Sequence, residues 1–145
     1  MSRNRVLGWM TLASVAAIFD IYFKYIAITR LPETGRVSIP FDLILHKNLG
    51  IAFNIPIPLP IVVTFSLLVL ISLFAYFKAW WPSHPEKVVA GFVLFVGTLG
   101  NMLDRLVNGF TTDYMLLFGR SVFNISDILI VTGIILLIRY TKTEG

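Results

Sequence analysis

Four stretches of the chain stay apolar for long enough to form membrane spans: Val6 to Ile28, Leu59 to Phe77, Val88 to Val107 and Val122 to Tyr140. A helix needs roughly 20 mostly apolar residues to cross the hydrocarbon core of a bilayer, and each stretch is close to that length. The first follows Arg3 and Arg5, as a cleavable leader would. It is too long for the apolar part of a leader, and Asp20 and Lys24 interrupt it, so it is read as a retained span. The connections are unequal: 30 residues from Thr29 to Pro58, a short turn from Trp80 to Lys87 holding Pro82 and Pro85, and 14 residues from Asn108 to Ser121. In the first of them Val37, Ile39, Phe41, Leu43 and Leu45 alternate with Ser38, Pro40, Asp42, Ile44 and His46. That period of two predicts a strand or hairpin arm resting on the membrane surface, with Pro40 confining it to an edge.

Composition narrows the class. The 145 residues are 57% hydrophobic and 14% charged, with a mean hydropathy of +0.82. An ordinary soluble domain is about a quarter charged, so a disordered chain is excluded and a soluble enzyme is a poor fit. One membrane-embedded domain, 1–145, fills this length. Cysteine is absent, which removes disulfides, thiol nucleophiles and thiolate metal sites. The net charge of +4 is spread between apolar runs, so it reads as membrane topology and not as a nucleic-acid surface. Arg3, Arg5, Lys78, Lys87, Arg139 and Lys142 fall on one side, and Arg30, Arg36, Lys47, Arg105 and Arg120 on the other. That margin of one places both termini in the cytoplasm and the two longer connections outside.

Charges at membrane depth cost several kcal/mol, so the polar residues inside the spans need partners or a function. Asp20 and Lys24 are four apart on one helix face, either as an ion pair or with Lys24 snorkelling to the interface. Gly97, Gly100, Asn101 and Asp104 share another face, with Arg105 beside them. The glycines allow close helix approach, but three polar residues exceed what packing needs. Asn124 and Asp127 share a face of the fourth stretch, and Asp127 has no basic residue within four positions. Asp113 is a solvated loop residue unless its connection folds back beside Asp127. Two carboxyls sharing a proton would then supply an acid and a base for activating water. No His-Glu-x-x-His or Gly-x-Ser-x-Gly motif is present, and His46 and His84 lie on opposite sides, so neither metal nor cofactor is expected.

With these residues in view the chain resembles the bacterial lipoprotein signal peptidases, the signal peptidase II family of intramembrane aspartic peptidases. Four blocks carry the likeness, in the family's order and over nearly the whole chain: Asp20 with Lys24; Asn48-Leu49-Gly50-Ile51-Ala52-Phe53; Gly97-x-x-Gly100-Asn101-x-x-Asp104-Arg105 followed by Asp113; and Phe123-Asn124-x-x-Asp127. The resemblance implies an all-α membrane protein of four transmembrane helices, with a small β-structured extracytoplasmic subdomain in the first outer connection. It implies Asp113 and Asp127 as the catalytic pair. Asn101, Asp104, Arg105 and Asn124 would shape the site, Asn48 and Gly50 would lie near substrate, and Asp20 would support it. It also implies a monomer in the bacterial inner membrane, among lipid, cutting a diacylglyceryl-modified prolipoprotein before the modified cysteine near the outer leaflet.

Four positions depart from the family's pattern: Phe23 where a Thr precedes the lysine, Tyr114 for Phe, Ser126 for a close-packing Ala, and Ile128 for Ser. The segment between the two aspartates is also shorter than is usual in the family. Two other classes fit the composition: a small transporter or ion-conducting protein using Asp20, Lys24, Asp104 and Asp127 as a polar pathway, and a non-catalytic lipoprotein-binding paralogue. A transporter would leave Asp113 dispensable and would favour internal repeats, of which none is visible.

Overall fold

The computed structural model describes residues 1–34, 40–50, 55–81 and 83–142. Arg36, Val37, Ser38, Ile39, Ile51, Ala52, Phe53 and Pro82, invoked above, lie outside the described residues. The chain runs α1 (Arg3–Arg30), β1 (Phe41–Asn48), α2 (Leu59–Trp80), α3 (Pro85–Asn108), β2 (Thr111–Leu117), β3 (Ser121–Phe123) and α4 (Ile125–Lys142). The molecule is mostly helical. Among the described residues, α1, α2 and α3 are long and apolar enough to cross a membrane. The fourth apolar stretch begins as strand β3, so its helix is trimmed to 18 residues and carries both Asp127 and Arg139.

Helix α3 is the axis of the bundle and packs against α1, α2 and α4. Its sequence suits that place, because small residues let its neighbours approach closely. A Cβ on Gly97 would meet the Ser126 carbonyl oxygen at 2.7 Å and Leu129 Cβ at 2.9 Å. From the other side, a Cβ on Gly133 would meet the Leu94 backbone nitrogen at 2.6 Å. The helix begins on Pro85, whose missing N–H costs nothing in a first turn. It ends at Gly109, left-handed at φ 80°, whose N–H bonds back to the Arg105 carbonyl. The outward faces of α1 and α2 present Leu12, Ile18, Phe19, Phe65, Ile71 and Phe74, a surface made for an apolar solvent.

The β-structure is larger than the period-two pattern implied. The strands form one antiparallel sheet in the order β1-β2-β3, so it draws on both longer connections and not on the first alone. β2 escapes a pattern search because it is buried on both faces through Thr111, Thr112, Asp113 and Tyr114. β1 lies at an edge of this sheet, but Pro40 precedes the strand instead of sitting within it, so the proline does not set that place. Its register slips between Leu43↔Met115 and His46↔Asp113, a bulge that leaves Phe41 and Leu43 exposed and turns Ile44 and Leu45 inward.

Two apolar clusters bracket the interior. One joins Val6, Ala13, Val89 and Val93. The other joins Ala27, Leu45 and Tyr114. Asp20 and Lys24 lie on α1 between them, at the level where helices meet sheet.

Candidate active site

The acidic, basic and amide residues singled out inside the first, third and fourth apolar stretches point into one shared layer. Asp20 has no exposed surface, and its carboxylate accepts four hydrogen bonds. Oδ2 accepts from Lys24 Nζ at 2.8 Å and Ser126 Oγ at 2.6 Å. Oδ1 accepts from the Tyr114 hydroxyl at 2.9 Å and the Ile125 N–H at 3.0 Å. Lys24 therefore does not snorkel. Its ammonium, on a side chain 5% exposed, also donates to Asn101 Oδ1 at 2.8 Å and lies 3.5 Å from Asp104 Oδ2. A buried ion pair is tolerable only when its remaining lone pairs and protons are satisfied, and here they are.

Asp104 turns toward the sheet. It accepts from Asn108 Nδ2 at 2.7 Å, from Thr112 Oγ1 at 3.1 Å and from the Thr112 N–H at 2.6 Å. Its task is to pin the start of β2 to the end of α3, and through that strand to place Asp113. Neither Thr112 nor Asn108 was visible as a partner in the sequence. Thr112 stands beside Asp113, and Asn108 one turn past Asp104, which is the little signal they gave.

Asp113 and Asp127 come together around Asn124. The Asn124 side-chain amide donates to Asp113 Oδ1 at 2.7 Å. Its Oδ1 accepts the Asp127 N–H at 2.9 Å, while its own N–H donates to Asp127 Oδ2 at 3.2 Å. This is a capping box, the reciprocal pairing of the residue before a helix with the third residue inside it. The device that starts α4 thus also sets one carboxylate relative to the other. Asn48 donates to Asp113 Oδ2 at 3.0 Å, and Asn101 donates to Asp127 Oδ1 at 2.8 Å. Each carboxyl is therefore held by one amide from its own flank and by Asn124 between them.

Burial pushes the Asp113 carboxyl up to about 7. The charge of Asp127 pushes the same way, and the amides of Asn48 and Asn124 oppose both. Burial, then the neighbouring Asp20 carboxylate, raise the Tyr114 phenol and keep it a donor. Arg105 closes the side toward the first long connection, donating from a guanidinium nitrogen to the Gly50 carbonyl at 3.1 Å. The Gly50 N–H in turn donates to Asn48 Oδ1 at 3.0 Å. Only glycine fits there, since a Cβ would overlap the Ile55 carbonyl oxygen. Every site residue anticipated from the sequence, from Asp20 to Asp127, is in this network.

Comparison with known proteins gives this layer a context. The family model described as signal peptidase (SPase) II matches residues 12–142. The chain is 30% identical over 142 residues to the lipoprotein signal peptidases of Brucella ovis and Brucella melitensis, covering 92% of this chain and 88% of each relative. It is similar to a solved structure described as a bacterial membrane enzyme determined by the in meso method at 2.3 Å, with a TM-score of 0.84 and 28% identity over 94% of this chain and 88% of that one. A second structure of the same description, at 1.9 Å, gives a TM-score of 0.79 and 29% identity over 92% of each chain.

Proposed function

This chain belongs to the signal peptidase II family, an aspartic-type protease that processes lipoprotein signal peptides, and we propose that Asp113 and Asp127 are its hydrolytic pair. The observation that carries the assignment is the single asparagine, Asn124, bonded to both carboxyl groups at once. Two buried carboxyls bridged by one asparagine cannot both ionise cheaply, so the pair holds one proton below about pH 7, to which burial and the charge of Asp127 raise the Asp113 carboxyl. The ionised partner takes a proton from a water molecule as that water attacks the scissile carbonyl. The protonated partner gives its proton to the carbonyl oxygen as charge develops there. When the resulting gem-diol collapses, the carboxyl that took the water's proton delivers it to the leaving amine, and the other recovers a proton from the gem-diol hydroxyl. The exchange belongs to the pair, which titrates as a unit.

The substrate is a prolipoprotein, and the enzyme is a multi-pass protein of the bacterial inner membrane. In our reading residues 1–145 act as one domain and one monomer, since one chain supplies the whole site. α4 completes a four-helix bundle with both termini in the cytoplasm. The sheet lies at the outer leaflet, where the diacylglyceryl chains of the substrate remain in lipid while the bond before the modified cysteine meets water. Asn48, Gly50 and Arg105, on the rim of the site, face the incoming peptide.

The test is cleavage of a diacylglyceryl-modified prolipoprotein by purified wild type, Asp113→Asn and Asp127→Asn, with and without a chelator. The expected result is chelator-resistant cleavage by wild type, and a loss of about 10²- to 10⁴-fold in either variant with the fold retained. Cleavage retained by either Asn variant would overturn the pair. Substrate transport unaffected by Asp113→Asn would point instead to a polar conduction pathway.

A further inference from the structure

Two hydroxyls that the hydrolytic chemistry leaves unused converge on one carboxylate. Tyr114 of β2 donates to Asp20 Oδ1 and Ser126 of α4 to Asp20 Oδ2, at 2.9 and 2.6 Å. The Tyr114 oxygen also accepts the Ile125 N–H at 3.3 Å, so the phenol ties the strand to the first turn of α4. Ser126 has its room because position 100 is glycine, where a Cβ would overlap the serine Oγ. Both positions are among the departures from the family pattern, and a third, Phe23, lays its ring against that of Tyr114 with centroids 5.8 Å apart. A hydroxyl added to a buried site is costly unless it finds a partner. Here both find the same one.

The influence of Asp20 on the site is directional. Lys24 bonds Asp20 and Asn101 together, and an ammonium group only donates. The Asn101 amide must therefore turn its oxygen to Lys24 and its nitrogen to Asp127, as it does at 2.8 Å. We propose that Tyr114 and Ser126 are positioning residues for hydrolysis: by holding both oxygens of Asp20 they fix Lys24, and so the direction in which Asn101 presents its amide to Asp127. This rests on the reading of Asp113 and Asp127 as the hydrolytic pair. Without the two hydroxyls Asp20 keeps only Lys24 and the Ile125 N–H, draws the ammonium toward itself and loosens its hold on Asn101.

The experiment compares full-length wild type, Tyr114→Phe, Ser126→Ala and the double variant in lipid, cleaving a diacylglyceryl-modified prolipoprotein below each unfolding midpoint. The expected result is a kcat roughly three- to tenfold lower in each single variant with KM within about twofold of wild type. Because both hydroxyls act through one carboxylate, the loss in the double variant should fall short of the product of the single losses. A lowered unfolding midpoint with kcat unchanged would mark the hydroxyls as packing groups and overturn the proposal, as would a change confined to KM. If the double variant does not fold, the two single variants decide by the same kcat comparison. Asp113→Asn and Asp127→Asn run alongside. Cleavage by either overturns the pair and this inference with it, whereas inactivity of both beside full kcat in the hydroxyl variants overturns the positioning role alone.

Discussion

Asn124 shows how much one side chain can be made to carry. It has no exposed surface, and it spends its amide nitrogen on Asp113, its amide oxygen on the Asp127 N–H and its backbone N–H on the Asp127 carboxylate. Asn124→Ala removes the cap of α4 and a donor to Asp113 together, so stability should fall by about 1–2 kcal/mol in a denaturant titration. Cleavage should fall by far more than that unfolding explains. Asp113 itself sets the pH response. With its carboxyl raised to about 7, the pair surrenders its proton as pH climbs through that value. The cleavage rate should therefore decline on an alkaline limb near pH 7. A carboxyl raised on folding stabilises the fold below its unfolded value of about 4, and that stability is lost as pH rises through about 7. Unfolding midpoints measured from pH 4 to 8 should show a downward slope that Asp113→Asn flattens.

At the scale of elements, the α3–α4 seam holds the site together. Gly97 on α3 and Gly133 on α4 let the two backbones approach so closely that neither position has room for a side chain. Gly97→Val should destabilise the protein by about 1–3 kcal/mol through overpacking, read as a lowered unfolding midpoint, and should weaken cleavage by pushing Ser126 and Asp127 away from Asn101. The helices and their polar insertions were legible in the sequence for one reason. A bilayer penalises every charge, so Asp20, Lys24, Asp104 and Asp127 stand out against their apolar background. β2 offered no such contrast. Buried on both faces, Thr111 to Tyr114 lacks alternation, and the strand is defined by its pairing with β1, arriving from the first long connection, on one side and with β3 on the other. The contact between Tyr114 and Asp20 spans 94 residues, and no local rule relates positions so distant. The capping box was the opposite case: Asn124 and Asp127 were read as a shared helix face, and their three-residue spacing was already that of a cap.

For the whole molecule, the site is a sum over elements. α1 gives Asp20 and Lys24, β1 gives Asn48, α3 gives Asn101, Asp104 and Arg105, β2 gives Asp113, and α4 follows Asn124 with Asp127. α2 supplies none of these and packs against α3, as a buttress for the central helix. The proposed orientation, with the sheet outside and α4 as a fourth crossing, returns the chain to the cytoplasm. A reporter fused after α4 should be active only in its cytoplasmic form, and an outward signal would reverse the proposed orientation. On the proposed pair, the distribution of the site also sets when the chain can become a protease. Among the described helices α4 is made after α1, α2 and α3, and until it docks Asp113 has neither Asp127 beside it nor the Asn124 amide. On the same reading, a nascent chain that carries α1 to α3 without α4 holds Asp113 alone and has no hydrolytic pair to act on a precursor. The delay is built into the order of the chain, with no inhibitory segment required to enforce it.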